Sequence, residues 1–116
     1  MGRPRLIWRG EVYNVDLGPP VGHEPASVRP VVVISTDVMN NGPGGVLIVV
    51  PVTSTAYGLR SHVEVETGSS GLDHTSYARC DQLRVVSVKR LGSRRGALDV
   101  EQIQAVDTAL RFVLDL

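Results

Sequence analysis

The sequence predicts an α+β fold, a small SH3-like β-barrel or roll with a C-terminal helix. Three observations lead there. Short alternating or β-branched runs recur between residues 11 and 88. Clusters of Gly, Pro, Asn and Ser separate them as turns. After residue 99 the apolar period lengthens from two to three or four, the spacing of an amphipathic helix.

The elements follow in order. Glu11-Val12-Tyr13-Asn14-Val15-Asp16-Leu17 alternates polar and apolar, as a half-buried strand does. Gly18-Pro19-Pro20 stops it, and residues 18–28 read as a long loop. Pro30 to Ser35 is a continuous apolar run, so a strand buried on both faces is expected. Asn40 to Gly45 is a turn cluster. Val46 to Val52 reads as a second buried strand, with Pro51 closing it. Residues 54–61 form a loop, His62 to Glu66 alternates, and Thr67 to Gly71 turns the chain. Thr75–Cys80 and Gln82–Val88 read as short strands, and Leu91-Gly92 as the end of a short helical turn. Asp99 is an N-cap with Gln102 three residues on, a capping box. Ile103, Val106, Leu110, Val113 and Leu114 then mark the apolar stripe of a helix over 99–114.

A chain of 116 residues is expected to form one domain, 1–116. Hydrophobic residues make up 42%, which excludes a disordered chain. The longest apolar stretch, Val46 to Val52, falls far short of the roughly 20 residues of a membrane helix. The apolar part of the basic start, Leu6-Ile7-Trp8, is too short for a secretory signal. The single Cys80 forms no internal disulfide, and no Cys/His/Asp/Glu set has metal-ligand spacing. A cytoplasmic protein without membrane, metal or cofactor is expected. Net charge is zero, yet residues 79–95 carry +5 and residues 96–116 carry −3. A basic stretch on a neutral body fits either polyanion contact or a solvated loop with counter-charges nearby.

Four segments place polar groups at the edges of apolar runs: Gly22-His23-Glu24, Arg29-Pro30 with the run after it, Pro51-Val52-Thr53-Ser54, and Arg79-Cys80-Asp81-Gln82-Leu83-Arg84. Guanidiniums, hydroxyls, an amide, an imidazole and a carboxylate suit a phosphodiester. Such a substrate needs cations and donors around phosphorus and a proton acceptor beside it.

These segments, with Arg9-Gly10-Glu11-Val12-Tyr13 ahead of them, resemble in type and order the PemK/MazF-type toxin endoribonucleases of type II toxin–antitoxin systems. Each motif alone is common; their joint order from Arg9 to the C-terminus is specific. Met1–Trp8 departs from the family's usual, shorter start. The resemblance implies a homodimer, metal-independent and sequence-specific cleavage of single-stranded RNA, and inhibition by a cognate antitoxin protein. One branch of the family relies on an Arg and a Thr that match Arg29 and Thr53. Another relies on a loop His with an Arg and an Asp, matching His23, Arg79 and Asp81. This chain carries both sets.

Metal-free RNA cleavage uses the ribose 2′-hydroxyl as nucleophile, so it needs a base, a cation on the phosphorane and a proton for the 5′-oxygen. Asp81 is the candidate base, with His23 as a second group suited to either proton role. The structural alternative for Asp81 is a pair with Arg79 or Arg84. Arg29 is the candidate phosphate clamp and Arg79 its partner. Thr53 and Ser54 are candidate donors to phosphate oxygens, or local turn caps. Gln82 and Arg84 are candidate RNA-binding residues. Cys80 reads as core, and His62 and His74 as structural. Tyr57 and Trp8 could stack on bases, with Trp8 more naturally packed in the core or a dimer interface. Two other readings share the fold. A gyrase-poisoning toxin family acts through a C-terminal Trp-Gly-Ile, whereas this chain ends Phe112-Val113-Leu114-Asp115-Leu116. A plain RNA-binding barrel would need no convergent proton donors and acceptors.

Overall fold

The architecture comes from a computed structural model that describes residues 6–18 and 28–116. Seven strands run β1 (Glu11–Asp16), β2 (Val28–Val33), β3 (Val46–Thr53), β4 (His62–Val65), β5 (Ser76–Arg79), β6 (Arg84–Ser87) and β7 (Leu91–Ala97). They pair antiparallel in the order β4-β5-β3-β2-β1-β7, with β6 on β3 beside β5. A single helical turn, α1 (Asp37–Asn40), follows β2, and α2 (Val100–Leu114) ends the fold. Ala97 N donates to Ser69 O at 2.9 Å, so the turn after β4 meets β7 and the sheet curls into a roll.

Strand alternation divides the interior into two cores. Val12, Val32, Val50, Val52, Val63, Val65, Ala78 and Cys80 pack under Val106, Ala109 and Leu110 of α2. Tyr13, Val15, Val31, Val33, Leu47 and Val49 pack together on the other side. Of the run 30–35, Val31 to Val33 is thus buried on both faces because each face meets a core, while Pro30 and Ile34 are half-buried. The helix starts as its sequence requires: the Asp99 carboxylate accepts from Gln102 N, and the Gln102 amide oxygen accepts from Asp99 N.

Several elements depart from the sequence reading. β7 lies where only a helical turn was expected. The turn exists, a 3₁₀ turn over Val88–Arg90, but Leu91 to Ala97 then extends along β1. Few of its residues favour strands. Its place rests on close approach instead: a Cβ on Gly96 would lie 2.1 Å from Ser69 O, and one on Gly71 1.9 Å from Arg95 O. β1 is not simply half-buried, since Glu11, Val12 and Tyr13 are all buried and a register shift follows Val12. The buried Glu11 carboxylate pairs with Arg94 and accepts from Trp8 N at 2.6 Å. Pro51 does not end β3. It sits where β3 passes from pairing with β2 to pairing with β5, at a position that needs no ladder donor from it. Trp8 is 49% exposed; Ile7 is the buried residue there. α1 forms because Thr36 caps it, accepting from Met39 N.

Candidate active site

The site lies on one face of β2, β3, β5 and β4. Thr53 pairs with Tyr77 and Tyr77 with Glu64, while Arg79 pairs with His62 one row over. The register Val31↔Pro51, carried two residues further, sets Arg29 across from Thr53. Cross-strand partners share a face. Val52, Ala78 and Val63 point the other way into the core, so apolar burial on one side orients the polar row on the other.

Arg29, Thr53 and Ser54 line one cavity of about 240 Å³ with His74, Ser76 and Arg95. Arg29 Nη1 donates to Val52 O at 3.2 Å, which fixes its guanidinium at the cavity wall. Burial, then the nearby positive charge of Arg79, holds the Arg29 pKa below its ordinary value, with Tyr57 acting the other way. It remains a cation at neutral pH. Thr53 Oγ1 accepts from Thr55 N at 3.2 Å. The hydroxyl thus caps the local turn and still has its proton to donate, so the two sequence readings of Thr53 are compatible.

Arg79 ends β5 with its guanidinium carbon 5.4 Å from the centre of the Tyr57 ring. Its Nε is buried with no hydrogen-bond partner among the described residues. Asp81 follows in a 3₁₀ turn over Cys80–Gln82. Its carboxylate meets neither Arg79 nor Arg84 but His62, at 3.1 Å from Nε2. The His62 side chain is 3% exposed against 37% for Asp81, and His62 Nδ1 is buried without a partner among the described residues. An Nε2–H tautomer donates to Asp81 Oδ1, and the Asp81 side chain is otherwise part-exposed. Tyr57 stands edge-on to the His62 ring at 5.7 Å. Cys80 between them is buried in the core, and its thiol pKa is pushed up to about 12 by burial and then by Asp81.

Arg29, Thr53, Ser54, Arg79 and Asp81 thus fall on contiguous elements. Gln82 and Arg84 do not line the cavity. Arg84 opens β6 opposite Val49, four residues along β3 from Thr53 and so about 13 Å away. His23 lies outside the described residues. His62, His74, Arg95 and Tyr77 are additions. The signal for His62 was available only as pairing: it is one of the alternating residues of β4, and only the β4–β5 register brings it to Arg79 and Asp81. The basic stretch 79–95 is dispersed by the fold. Arg94 pairs with Glu11, and Arg95 donates to Gly71 O at 2.9 Å beside Asp73. Among the described residues no group of three or more His, Cys, Asp or Glu could hold a metal ion. No described helix is long and apolar enough to cross a membrane.

A curled antiparallel sheet with a terminal helix, carrying Arg29, Thr53 and Arg79 on one face, defines a small α+β protein. The family model of PemK-like, MazF-like toxins of type II toxin–antitoxin systems matches residues 8–114, and the chain belongs to this family. Over 112 residues it is 34% identical to Endoribonuclease EndoA of Bacillus subtilis (strain 168), covering 96% of this chain and 97% of the relative. The fold is also that of a MazF from Deinococcus radiodurans, with TM-score 0.81 at 23% identity over 97% of this chain and 100% of that one. An endoribonuclease solved in complex with its cognate antitoxin, from Mycobacterial species, superposes with TM-score 0.80 at 24% identity over 95% of this chain and 96% of that one.

Proposed function

We propose that the protein is the single-domain toxin of a type II toxin–antitoxin system, a cytoplasmic endoribonuclease that cleaves single-stranded RNA at specific sequences without a metal ion. Membership of the toxin family and 34% identity to an endoribonuclease support the activity. The observation that supports the mechanism is that Arg29, Thr53 and Arg79 share one sheet face, with Asp81 in the turn directly after β5.

The scissile phosphate sits between Arg29 and Arg79, whose mutual repulsion an anion relieves. As the 2′-hydroxyl attacks phosphorus, the two guanidiniums and the Thr53 hydroxyl donate to the non-bridging oxygens, where charge develops. The Asp81 oxygen not held by His62 takes the 2′-hydroxyl proton. His62 acts through Asp81 by holding the other oxygen. The P–O5′ bond breaks and the 5′-oxygen takes up a proton, which leaves a 2′,3′-cyclic phosphate and a 5′-hydroxyl. His23 is the proposed donor of that proton, since a guanidinium does not release one at neutral pH. Ser54 supplies a further hydroxyl, while Gln82 and Arg84 hold RNA beyond the cleaved bond.

Two partners complete the reading. The cognate antitoxin covers the cationic face, which an acidic segment can neutralise. A second copy of the chain covers an apolar groove lined by Ile34, Ile48, Leu83, Leu110, Leu114 and Leu116. Induced expression of wild type should arrest bacterial growth and degrade RNA, whereas folded Arg29→Ala and Thr53→Ala should do neither. Arrest by both variants at the wild-type level contradicts the assignment.

A further inference from the structure

A second cavity of about 260 Å³ opens beside the first, where the loop after β3 passes over β4 and β5. Tyr57, Leu59, His62, Glu64 and Tyr77 line it. Tyr57 is 54% exposed, and Gly58 after it adopts φ +69°, which turns the loop back at that point. Arg79 lies over the Tyr57 ring without lining this cavity, so the cation steadies the ring and leaves it free to contact a ligand. His62 forms another wall, held by Asp81. Glu64 is exposed, and its carboxylate has no hydrogen-bond or ion-pair partner among the described residues.

Register ties this cavity to the first. Thr53, Tyr77 and Glu64 are successive cross-strand partners. Each strand step is about 4.8 Å. The Glu64 backbone therefore lies about 10 Å from that of Thr53, within reach of a nucleotide whose phosphate sits at Arg29 and Thr53. Two tyrosines supply faces for stacking, which is tolerant of base identity. A free carboxylate supplies only acceptors, which discriminates: it pairs with bases that present N–H donors.

We infer that this Tyr57–Tyr77 cavity is a base-recognition pocket of the ribonuclease, in which Glu64 reads a base bearing an amino group. Guanine fits best, because its N1–H and N2–H are parallel donors that a carboxylate accepts together. The inference rests on the RNA-cleavage reading and adds a recognition determinant to it.

The test is cleavage of a randomised single-stranded RNA pool, with the 5′-hydroxyl ends sequenced to give base preference at each position. Glu64→Gln and Tyr57→Ala alter exposed residues, and circular dichroism and thermal melting confirm their folds. Wild type should prefer guanine at one position next to the cut. Glu64→Gln should lose about tenfold or more of that preference, the scale of a bidentate base contact, and keep the preferences elsewhere. Tyr57→Ala should lower kcat/KM about tenfold, the scale of one lost base stack, while keeping the choice of guanine. An unchanged preference profile in a folded, active Glu64→Gln protein overturns the pocket and leaves the ribonuclease reading standing. A wild-type protein that cleaves no RNA overturns both.

Discussion

His62 Nε2 and the Asp81 carboxylate meet at 3.1 Å, one side chain almost wholly buried and the other part-exposed. The buried ring holds one oxygen of the acid, which restrains the carboxylate as a whole. This gives Asp81 a geometric reason to serve as base that an isolated surface carboxylate lacks.

Asp81→Asn should therefore lose about 10²-fold or more in kcat/KM, the lower range for a positioned general base, with a melting temperature within a few degrees of wild type. Single-turnover kinetics and calorimetry decide it. A folded Asp81→Asn protein with near-wild-type rate removes Asp81 from the chemistry. His62→Ala should lose both rate and stability, because it empties a buried position as well as freeing Asp81. His62→Gln, which can still donate to Asp81, should recover part of the rate.

Arg29 is partly buried, and Arg79 stands close enough to disfavour its charge further. A bound anion offsets that repulsion. A non-cleavable RNA with 2′-deoxyribose at the cut should stabilise wild type by about 2.7 kcal/mol when present at a hundredfold its Kd. Arg29→Ala should bind it more weakly, with a salt slope shallower by about 0.7 for the lost phosphate contact. Arg29→Ala should also lose about 10² to 10³-fold in kcat, the scale of one donor to developing charge. Equal affinity and slope in both proteins would place the phosphate elsewhere.

Cys80 sits between two site residues yet faces the core, and its thiol is raised to about 12. A raised folded pKa means that the fold keeps a proton the unfolded chain releases. The resulting stabilisation is complete below the ordinary thiol pKa and is lost as pH rises toward 12. Wild-type stability should fall more steeply above about pH 9 than that of Cys80→Ala, as denaturant titrations at several pH values would measure. Thiol reagents at pH 8 should leave folded protein unlabelled. Rapid labelling of the native protein contradicts the burial of this thiol.

The groove between α2 and the sheet exposes Leu114 and Leu116. Sedimentation at micromolar concentration should give a dimer of the 12.5 kDa chain, and Leu114→Glu should shift it to monomer by placing a charge in an apolar interface. A wild-type monomer rules out this use of the groove.

How far the sequence was legible follows from which forces act locally. The helix was readable to within a residue because its capping box and apolar period are local properties of Asp99 to Leu114. The strands 46–53 and 62–65 were readable from β-branched runs and alternation. β7 was not, because a run such as Gly92-Ser93-Arg94-Arg95-Gly96 becomes a strand only by pairing with β1. The motif residues Arg29, Thr53, Arg79 and Asp81 were visible as edges of apolar runs. Their partners were not: nothing in the local sequence of His62 points to Asp81, nineteen residues away. Likewise the charge run 79–95 fits either polyanion contact or a solvated loop with counter-charges, and only pairing shows Arg94 held by Glu11.

The most direct test of the central claim is end-group analysis of RNA cut by the purified protein in EDTA. Site-specific cleavage of single-stranded RNA that leaves 2′,3′-cyclic phosphate and 5′-hydroxyl ends is the predicted result. An absolute requirement for Mg²⁺, or 5′-phosphate ends, would contradict attack by the 2′-hydroxyl and with it the roles given to Arg29, Thr53 and Asp81.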